Sequence, residues 1–371
     1  MKRFISLAII GFCFFISCKS EKKETGNQEQ SELKNGILVG AIRWDAWVGG
    51  DITHQVELSL GPHKYHQRLP WYAEVITDST VRIDGSSQQV MDQEISFAAE
   101  AGLDYWAFLL YPESETMSES LRQYLKSDSR KQINFCLILH NAFGVDEKQW
   151  PAERDRAVAL LEEPGYQKVL NDRPLVYAFM LSYKGTFPAE RFADFLRVAH
   201  ARKINPYCVY MGWNPSKDFE KYSALGFEAV SAYACSSADT TYTQLCQRVE
   251  NRYWQNAVTG KTPYIPLLTT GWEKNPRKDH PVSWELGQSY HQQNVFPSIA
   301  TPDEITAHLF RGLTFVKEHP EICAAKSVII YAWNEFDEGG WLAPTWTPDG
   351  KGDNRRLEAV GRILTTKNTA R

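Results

Sequence analysis

The chain is poor in several features that would each have named a class of protein. It has no long block of Lys or Arg, and its formal charge of −4 over 371 residues offers nucleic acid no basic face. No Cys-x-x-Cys pair or Cys/His spacing points to zinc. No Gly-rich phosphate loop follows the first strand candidate, which argues against a doubly wound nucleotide-binding sheet. No Pro/Ser-rich linker or shift in composition divides the chain into separate domains. The N-terminal apolar run, Phe4 to Ile16, is too short to span a membrane comfortably. Apart from Cys13 and Cys18 there are Cys136, Cys208, Cys235, Cys246 and Cys323, and an odd number argues against a full disulfide framework. They read as buried thiols, with at most one or two bridges.

Aromatic residues, by contrast, are abundant. The 12 Trp, 17 Tyr and 18 Phe make up 13% of the chain, and many fall where β runs end rather than inside helical stretches. Flat rings at strand ends suit a carbohydrate, because their faces pack against sugar rings.

The first residues read as a targeting segment, to be set aside from the fold. Lys2 and Arg3 precede the apolar run, which closes on Phe15-Ile16-Ser17-Cys18. A small residue followed by Cys at this place resembles a bacterial lipobox, with Phe15 where Leu is usual. The expected organisation is a lipoprotein signal over residues 1–18, lipidated at Cys18, then a flexible polar tether over residues 19–35 and one folded domain over residues 36–371. The protein is therefore expected in the cell envelope as a monomer, lipid-anchored to a bacterial membrane. An ordinary cleaved signal peptide is the alternative.

Short apolar runs alternate with amphipathic stretches along the rest of the chain. The strand candidates are Ile37–Ile42, Tyr105–Leu110, Ile133–Leu139, Leu175–Phe179, Tyr207–Met211, Ala229–Tyr233, Tyr264–Thr269 and Val328–Trp333. Continuous hydrophobic runs are expected of parallel strands covered on both faces. Helices announce themselves between them. Thr301-Pro302-Asp303-Glu304 is a capping box with Pro at the first helical position, followed by Ile305, Leu309, Leu313 and Val316 on one face. Phe192, Phe195, Leu196 and Ala199 form a similar stripe, and Gln88 to Ala101 reads as the helix before the second strand. The pattern predicts a single (β/α)8 barrel of the α/β class. Two long connections, Arg43 to about Gly85 and Thr270 to Ala300, fall on the C-terminal side of their strands, where barrel enzymes keep their active sites.

The residues at those strand ends can be read in order. The first strand ends in Arg43-Trp44-Asp45-Ala46-Trp47, the second in Tyr111 and the third in His140-Asn141. The fifth ends in Trp213, the sixth in Tyr233, the seventh in Trp272-Glu273 and the last in Asn334, Glu335 and Glu338, with Trp341 close behind. Trp44, Asp45, Trp47, Tyr111, His140, Asn141, Trp213, Tyr233, Trp272, Asn334 and Trp341 are the candidate substrate-binding residues. Several have a plainer reading as rim packing, and Asp45 is equally placed to bond Arg43 or Arg68. Glu335 and Glu338 are the candidate catalytic pair. Three acids within four positions, set among Trp333, Phe336 and Trp341, make a costly structural element, because desolvation disfavours their charged form.

The segment Tyr331–Gly339 resembles the signature of glycoside hydrolase family 99 and its bacterial relatives from polysaccharide loci, with Asn-Glu, two intervening residues, then Glu-Gly at the end of the last barrel strand. Gly165-Tyr166-Gln167-Lys168-Val169 through Asp172-Arg173-Pro174-Leu175-Val176-Tyr177 is similar to the segment leading into their fourth strand. Gly102-Leu103-Asp104-Tyr105-Trp106-Ala107-Phe108 is similar to the start of their second. The likeness runs in order from Gly36 to Leu342, with the Glu motif its specific part. Two departures stand out: Phe336-Asp337 replaces a Trp-His pair, and the first strand is less rich in Tyr.

The resemblance implies a retaining hydrolase that is endo-acting on α-mannosides through a 1,2-anhydro sugar. Glu335 would be the base for the 2-hydroxyl and Glu338 the general acid. A two-carboxylate mechanism with Glu335 as nucleophile is the neighbouring route. Retaining barrel glycosidases of the common kind place an acid on the fourth strand, where this chain has Phe179-Met180-Leu181-Ser182. A metal-dependent hydrolase and a lipid-anchored glycan-binding protein on a non-catalytic barrel are the rival functions. The expected partner is a carbohydrate, with no cofactor and no metal.

Overall fold

Apolar runs with no polar face cannot border water on either side, and in this protein each pairs in parallel with two neighbours. The computed structural model describes residues 34, 36–179 and 187–365. The anticipated signal segment, with Cys18, lies outside the described residues, as does the stretch following Phe179. Eight strands form the barrel: β1 (Leu38–Arg43), β2 (Tyr105–Leu110), β3 (Asn134–Leu139), β4 (Arg173–Phe179), β5 (Tyr207–Met211), β6 (Ala229–Ser231), β7 (Leu267–Thr269) and β8 (Ser327–Tyr331). β8 pairs with β1 at Leu38↔Ser327, and β1 with β2 at Gly40↔Tyr105. The ring closes between β6 and the residues before β7. There the Val230 N–H donates to the Pro263 carbonyl at 2.9 Å, and the Ile265 N–H donates to the Val230 carbonyl at 3.0 Å. The fold is a (β/α)8 barrel.

The differences from the predicted strands have local causes. β7 is shorter than Tyr264–Thr269 because Pro266 has no N–H for the ladder, which leaves Tyr264 a single bridge to Val230. β6 stops at Ser231, and the chain then turns so that Tyr233 points into the rim. Inside the barrel Gly40 makes room for the Tyr105 ring, which a Cβ there would overlap. The Tyr105 hydroxyl lies 2.9 Å from that of Tyr177 and 3.0 Å from Ser327 Oγ, so a polar contact fills the narrow centre of the barrel.

The helices include α1 (Gly50–Leu60), α2 (Gln88–Glu100), α3 (Glu119–Lys126), α4 (Trp150–Leu160), α5 (Ala189–Ala201), α6 (Pro215–Tyr222), α7 (Tyr242–Val249), α8 (Gln255–Gly260), α9 (Asn275–Asp279), α10 (Pro302–Glu318) and α11 (Arg355–Leu364). The capping box at Thr301 is formed: its Oγ1 accepts the Glu304 N–H at 3.3 Å, and Glu304 accepts the Thr301 N–H at 2.9 Å. The two long connections carry structure of their own. The first holds α1 and a small hairpin, Glu74–Thr77 with Thr80–Arg82; the second holds α9 and two short 3₁₀ turns. Cys136, Cys208, Cys235, Cys246 and Cys323 are all buried free thiols.

Candidate active site

After β8 the chain forms a tight hairpin in which Asn334 faces Trp341 and Glu335 faces Gly340. Gly339 takes φ +83°, and a Cβ on it would strike the backbone of Glu273. The absence of that atom lets the β7 connection lie directly against the hairpin. Lys274 and Arg277 are thereby brought to the glutamates.

Arg277 is buried at the centre of an ionic cluster. Its Nε donates to Asp337 Oδ2 at 2.6 Å and its Nη2 to Asp337 Oδ1 at 3.2 Å, while Nη1 bonds Glu338 and reaches Glu285 at 3.0 Å. Lys274 Nζ lies 3.1 Å from Glu338 and 2.8 Å from Glu285. Both cations are sandwiched by rings. The Arg277 guanidinium sits 5.0 Å from Trp44 and 5.6 Å from Trp284, and Lys274 sits 4.5 Å from Trp272 and 4.4 Å from Tyr290. Burial pushes the Glu285 carboxyl up, but Arg277 and then Lys274 outweigh it and hold the group down at about 2. Asp337 is thus spoken for by arginine, and Glu338 by two cations and the Tyr331 hydroxyl.

Glu335 is in a different situation. It is 3% exposed, and its Oε1 accepts the Tyr233 hydroxyl at 2.6 Å. Its Oε2 has no hydrogen-bond partner; the nearest cation, Arg277 Nη2, stands 3.9 Å away. Burial, and next the charge of Glu338, raise its pKa well above the usual carboxylate range, with Arg277 and Tyr233 only partly opposing. Glu335 is therefore biased toward its protonated form and has one buried oxygen without a hydrogen bond, while Glu338 is bonded to two cations.

A belt of rings leads round the rim to this pair. Trp44 Nε1 donates to the Tyr111 hydroxyl at 3.0 Å, and Tyr111 meets the His140 ring edge-on at 5.4 Å. His140 stacks on Phe179 at 6.0 Å, and Phe179 on Tyr233 at 4.2 Å. Burial lowers the His140 pKa, against its bond to the Phe179 carbonyl, so the ring is neutral at physiological pH. Trp213 is 45% exposed at the end of β5, and its ring lies 6.2 Å from Phe179. Trp272 is half-buried against Tyr331, and Asn141 is exposed beside His140.

Seven of the predicted substrate-binding residues are buried: Trp44, Tyr111 and Tyr233 of the belt, and Asp45, Trp47, Asn334 and Trp341. Asp45 is buried and accepts Arg43 Nε at 2.8 Å, while Arg43 also pairs with Glu94 at 2.6 Å. Trp47 is buried edge-on against Phe336 at 5.1 Å. Asn334 accepts the Trp44 backbone N–H at 2.9 Å, which fixes the β1 end to the β8 hairpin. Trp341 lies under the Arg356 guanidinium at 3.7 Å. Asp45, Trp47, Asn334 and Trp341 thus take part in packing the rim. Glu273, at the end of β7, is bonded to Arg68 and Asn275. Sequence reasoning missed Lys274, Arg277, Glu285 and Trp284, whose signal was the length of the Thr270–Ala300 connection, and Phe179, whose signal was its place at the end of the fourth strand. Among the described residues no group of three or more His, Cys, Asp or Glu is arranged to hold a metal ion.

No protein-family model matches the chain, and no curated protein matches it. Among solved structures, it is similar to the GH99 endo-α-mannosidase from Bacteroides thetaiotaomicron in complex with BIS-TRIS-propane. The identity is 11%, the alignment covers 88% of this chain and 95% of that one, and the TM-score is 0.53. A second structure of that enzyme aligns at 12% identity over 88% and 95% of the two chains, with a TM-score of 0.49. The β-glycosidase BGL167 aligns at 10% identity over 89% and 96%, with a TM-score of 0.44. The likeness is one of fold. It agrees with the distant relationship read from the Tyr331–Gly339 motif.

Proposed function

We propose that the protein is a glycoside hydrolase acting on an oligosaccharide or polysaccharide, with Glu335 as its proton-transfer group. The observation that carries this reading is the contrast between the two glutamates. Glu335 keeps an unpartnered oxygen and a raised pKa at the C-terminal mouth of the barrel, while Glu338 is anchored as an anion by Arg277 and Lys274. A neutral carboxyl beside a fixed negative charge is what cleavage of an acetal requires. Glu335 gives its proton to the departing glycosidic oxygen, and the charge of Glu338 stabilises the positive character developing at the anomeric carbon. The carboxylate left on Glu335 then takes a proton from the incoming nucleophile. This division is the reverse of the one the family resemblance implies, and leaving-group chemistry separates the two. The exposed faces of Trp213 and Trp284, each packed against a ring of the buried belt, supply the stacking surfaces.

Purified protein screened against α-mannans, host glycans and plant polysaccharides, with the product anomer followed by NMR, tests both activity and stereochemistry. Saturable binding with no turnover on any glycan would favour the glycan-binding alternative.

The Ser17-Cys18 junction and the polar residues after it support attachment to a bacterial membrane through a lipid on Cys18. Cys18→Ala is expected to move the protein from the membrane fraction to the soluble fraction in its native host. Unchanged fractionation would leave an ordinary signal peptide as the better account.

A further inference from the structure

Arg356 is nine-tenths buried and has no carboxylate partner among the described residues. Its Nη1 donates to the Trp341 carbonyl at 2.8 Å and its Nη2 to the Ala300 carbonyl at 2.9 Å, and its guanidinium lies flat on the Trp341 ring. Carbonyls orient the group without neutralising it. A second buried guanidinium, Arg68, stands 5.9 Å from the same ring. Burial, with Arg68 as a like-charged neighbour, pulls Arg356 down to about 9. A buried cation left this way is costly unless an anion joins it.

Room for that anion exists. Arg356 lines a cavity of about 150 Å³, with Gln67, Trp341, Thr345, Asp353 and Arg355 on its walls. Asp353 is the acidic group there, and it is already occupied by Arg355, whose Nη2 lies 2.6 Å away. The cavity opens at the start of α11, where the Asn354 side chain makes no cap but Asp353 Oδ1 already accepts the Arg355 N–H at 3.1 Å, so the helix end is partly satisfied and Arg356 is the main source of positive charge. The start of α10 also borders it, although Thr301 and Glu304 cap that helix from within. In barrels of this fold the loops after the seventh and eighth strands, together with a helix N-terminus, are a recurrent place for phosphate. The cavity is also tied to the glutamates, because Trp341 pairs with Asn334 in the hairpin that carries Glu335.

We propose that this cavity is an oxyanion-binding site, centred on Arg356, for a sulfate, phosphate or carboxylate group borne by the glycan. The glycan part rests on the hydrolase reading, so the site is tested by binding, which needs no turnover. Calorimetry on the full chain at matched ionic strength would compare sodium sulfate, sodium phosphate and glucuronate with chloride and glucose. A sulfated oligosaccharide would be set against its desulfated form. Saturable binding of the anions and of the sulfated glycan is expected, with the neutral sugars at least about tenfold weaker. Arg356→Gln is expected to abolish the difference, but it also removes two carbonyl bonds that hold the fold together. Gln67→Glu avoids that problem: on an exposed residue, it places a carboxylate at the cavity wall. It should weaken anion binding by about tenfold or more while raising the anion-free Tm, since Arg356 gains a counter-ion.

Absence of saturable anion binding in the wild type would overturn the proposal. So would binding unchanged by Gln67→Glu, or binding of inorganic ions with no preference for the sulfated glycan. None of these results bears on whether Glu335 catalyses hydrolysis of a neutral glycan.

Discussion

Glu335→Gln is expected to lower turnover on a confirmed glycan by about 10²–10⁴-fold, the usual worth of positioned acid/base catalysis, and to raise the Tm at neutral pH. The two effects share a cause. In the folded protein the carboxyl holds its proton above the pH at which the unfolded chain releases it, because burial and Glu338 penalise the anion. Above the ordinary carboxylate pKa the native state thus binds one more proton than the unfolded state, and stability falls as pH rises through the folded pKa. Glutamine keeps the shape and the bond to Tyr233 but has no proton to lose, so that fall should vanish from the stability-versus-pH curve. If Glu335 is the acid, the alkaline limb of kcat/KM against pH belongs to it and should disappear in the variant. An activated aryl glycoside needs little protonation of its leaving group, and it should rescue Glu335→Gln but not Glu338→Gln. Rescue at Glu338 instead would restore the division implied by the family motif. Wild-type turnover in both variants would place the chemistry elsewhere.

The barrel was legible because each strand is an apolar run bounded by turn or cap residues, as at Tyr105–Leu110 and Tyr207–Met211, where the predicted and observed limits coincide. α1 was not legible: it begins on Gly50, and its buried residues include Thr53 and Ser59, so no apolar stripe marks it. The glutamates were visible because both partners sit within one turn of chain at a strand end. The cluster that distinguishes them was hidden because its cations lie on another connection. Arg277 is 60 residues from Asp337 in sequence, and it meets the hairpin only because Gly339 has no side chain to keep the chains apart. Trp47 and Trp341 look like ring platforms in a sequence, since residue type says nothing of which side of the rim an indole will face. Their burial against Phe336 and Arg356 is a consequence of the hairpin's register.

Arg277→Met should be the most destabilising single change near the site. The guanidinium joins Asp337, Glu338 and Glu285, all within 3.2 Å, and it is itself almost fully buried between Trp44 and Trp284. Methionine fills part of the volume, but Asp337 then loses its cation in a fully buried position, and Glu338 retains only Lys274 and the Tyr331 hydroxyl. Removing one side of a buried ion pair typically costs about 3–5 kcal/mol, because the remaining charge is neither solvated nor paired. A large drop in Tm near pH 7 is therefore expected, with the 283–292 segment loosened as Glu285 loses one of its two cations.

The pH dependence of this loss gives the decisive control. In the wild type Glu285 is held down at about 2, so its contribution is present above the ordinary carboxylate pKa and is lost as pH falls toward that value. In the variant the abandoned carboxylates are better protonated than charged, so acid should narrow the gap between variant and wild type. Unfolding curves of both proteins between pH 4 and pH 8 would show this, and a gap that stays constant with pH would mean that packing, rather than charge, is what Arg277 contributes. Arg277→Lys keeps one charge but not the fork that grips Asp337 through two nitrogens, so it should recover part of the stability. Because the charge of Arg277 opposes the raised pKa of Glu335, the methionine variant should also move the alkaline limb of kcat/KM to higher pH, and the lysine variant, which keeps a charge there, should move it less.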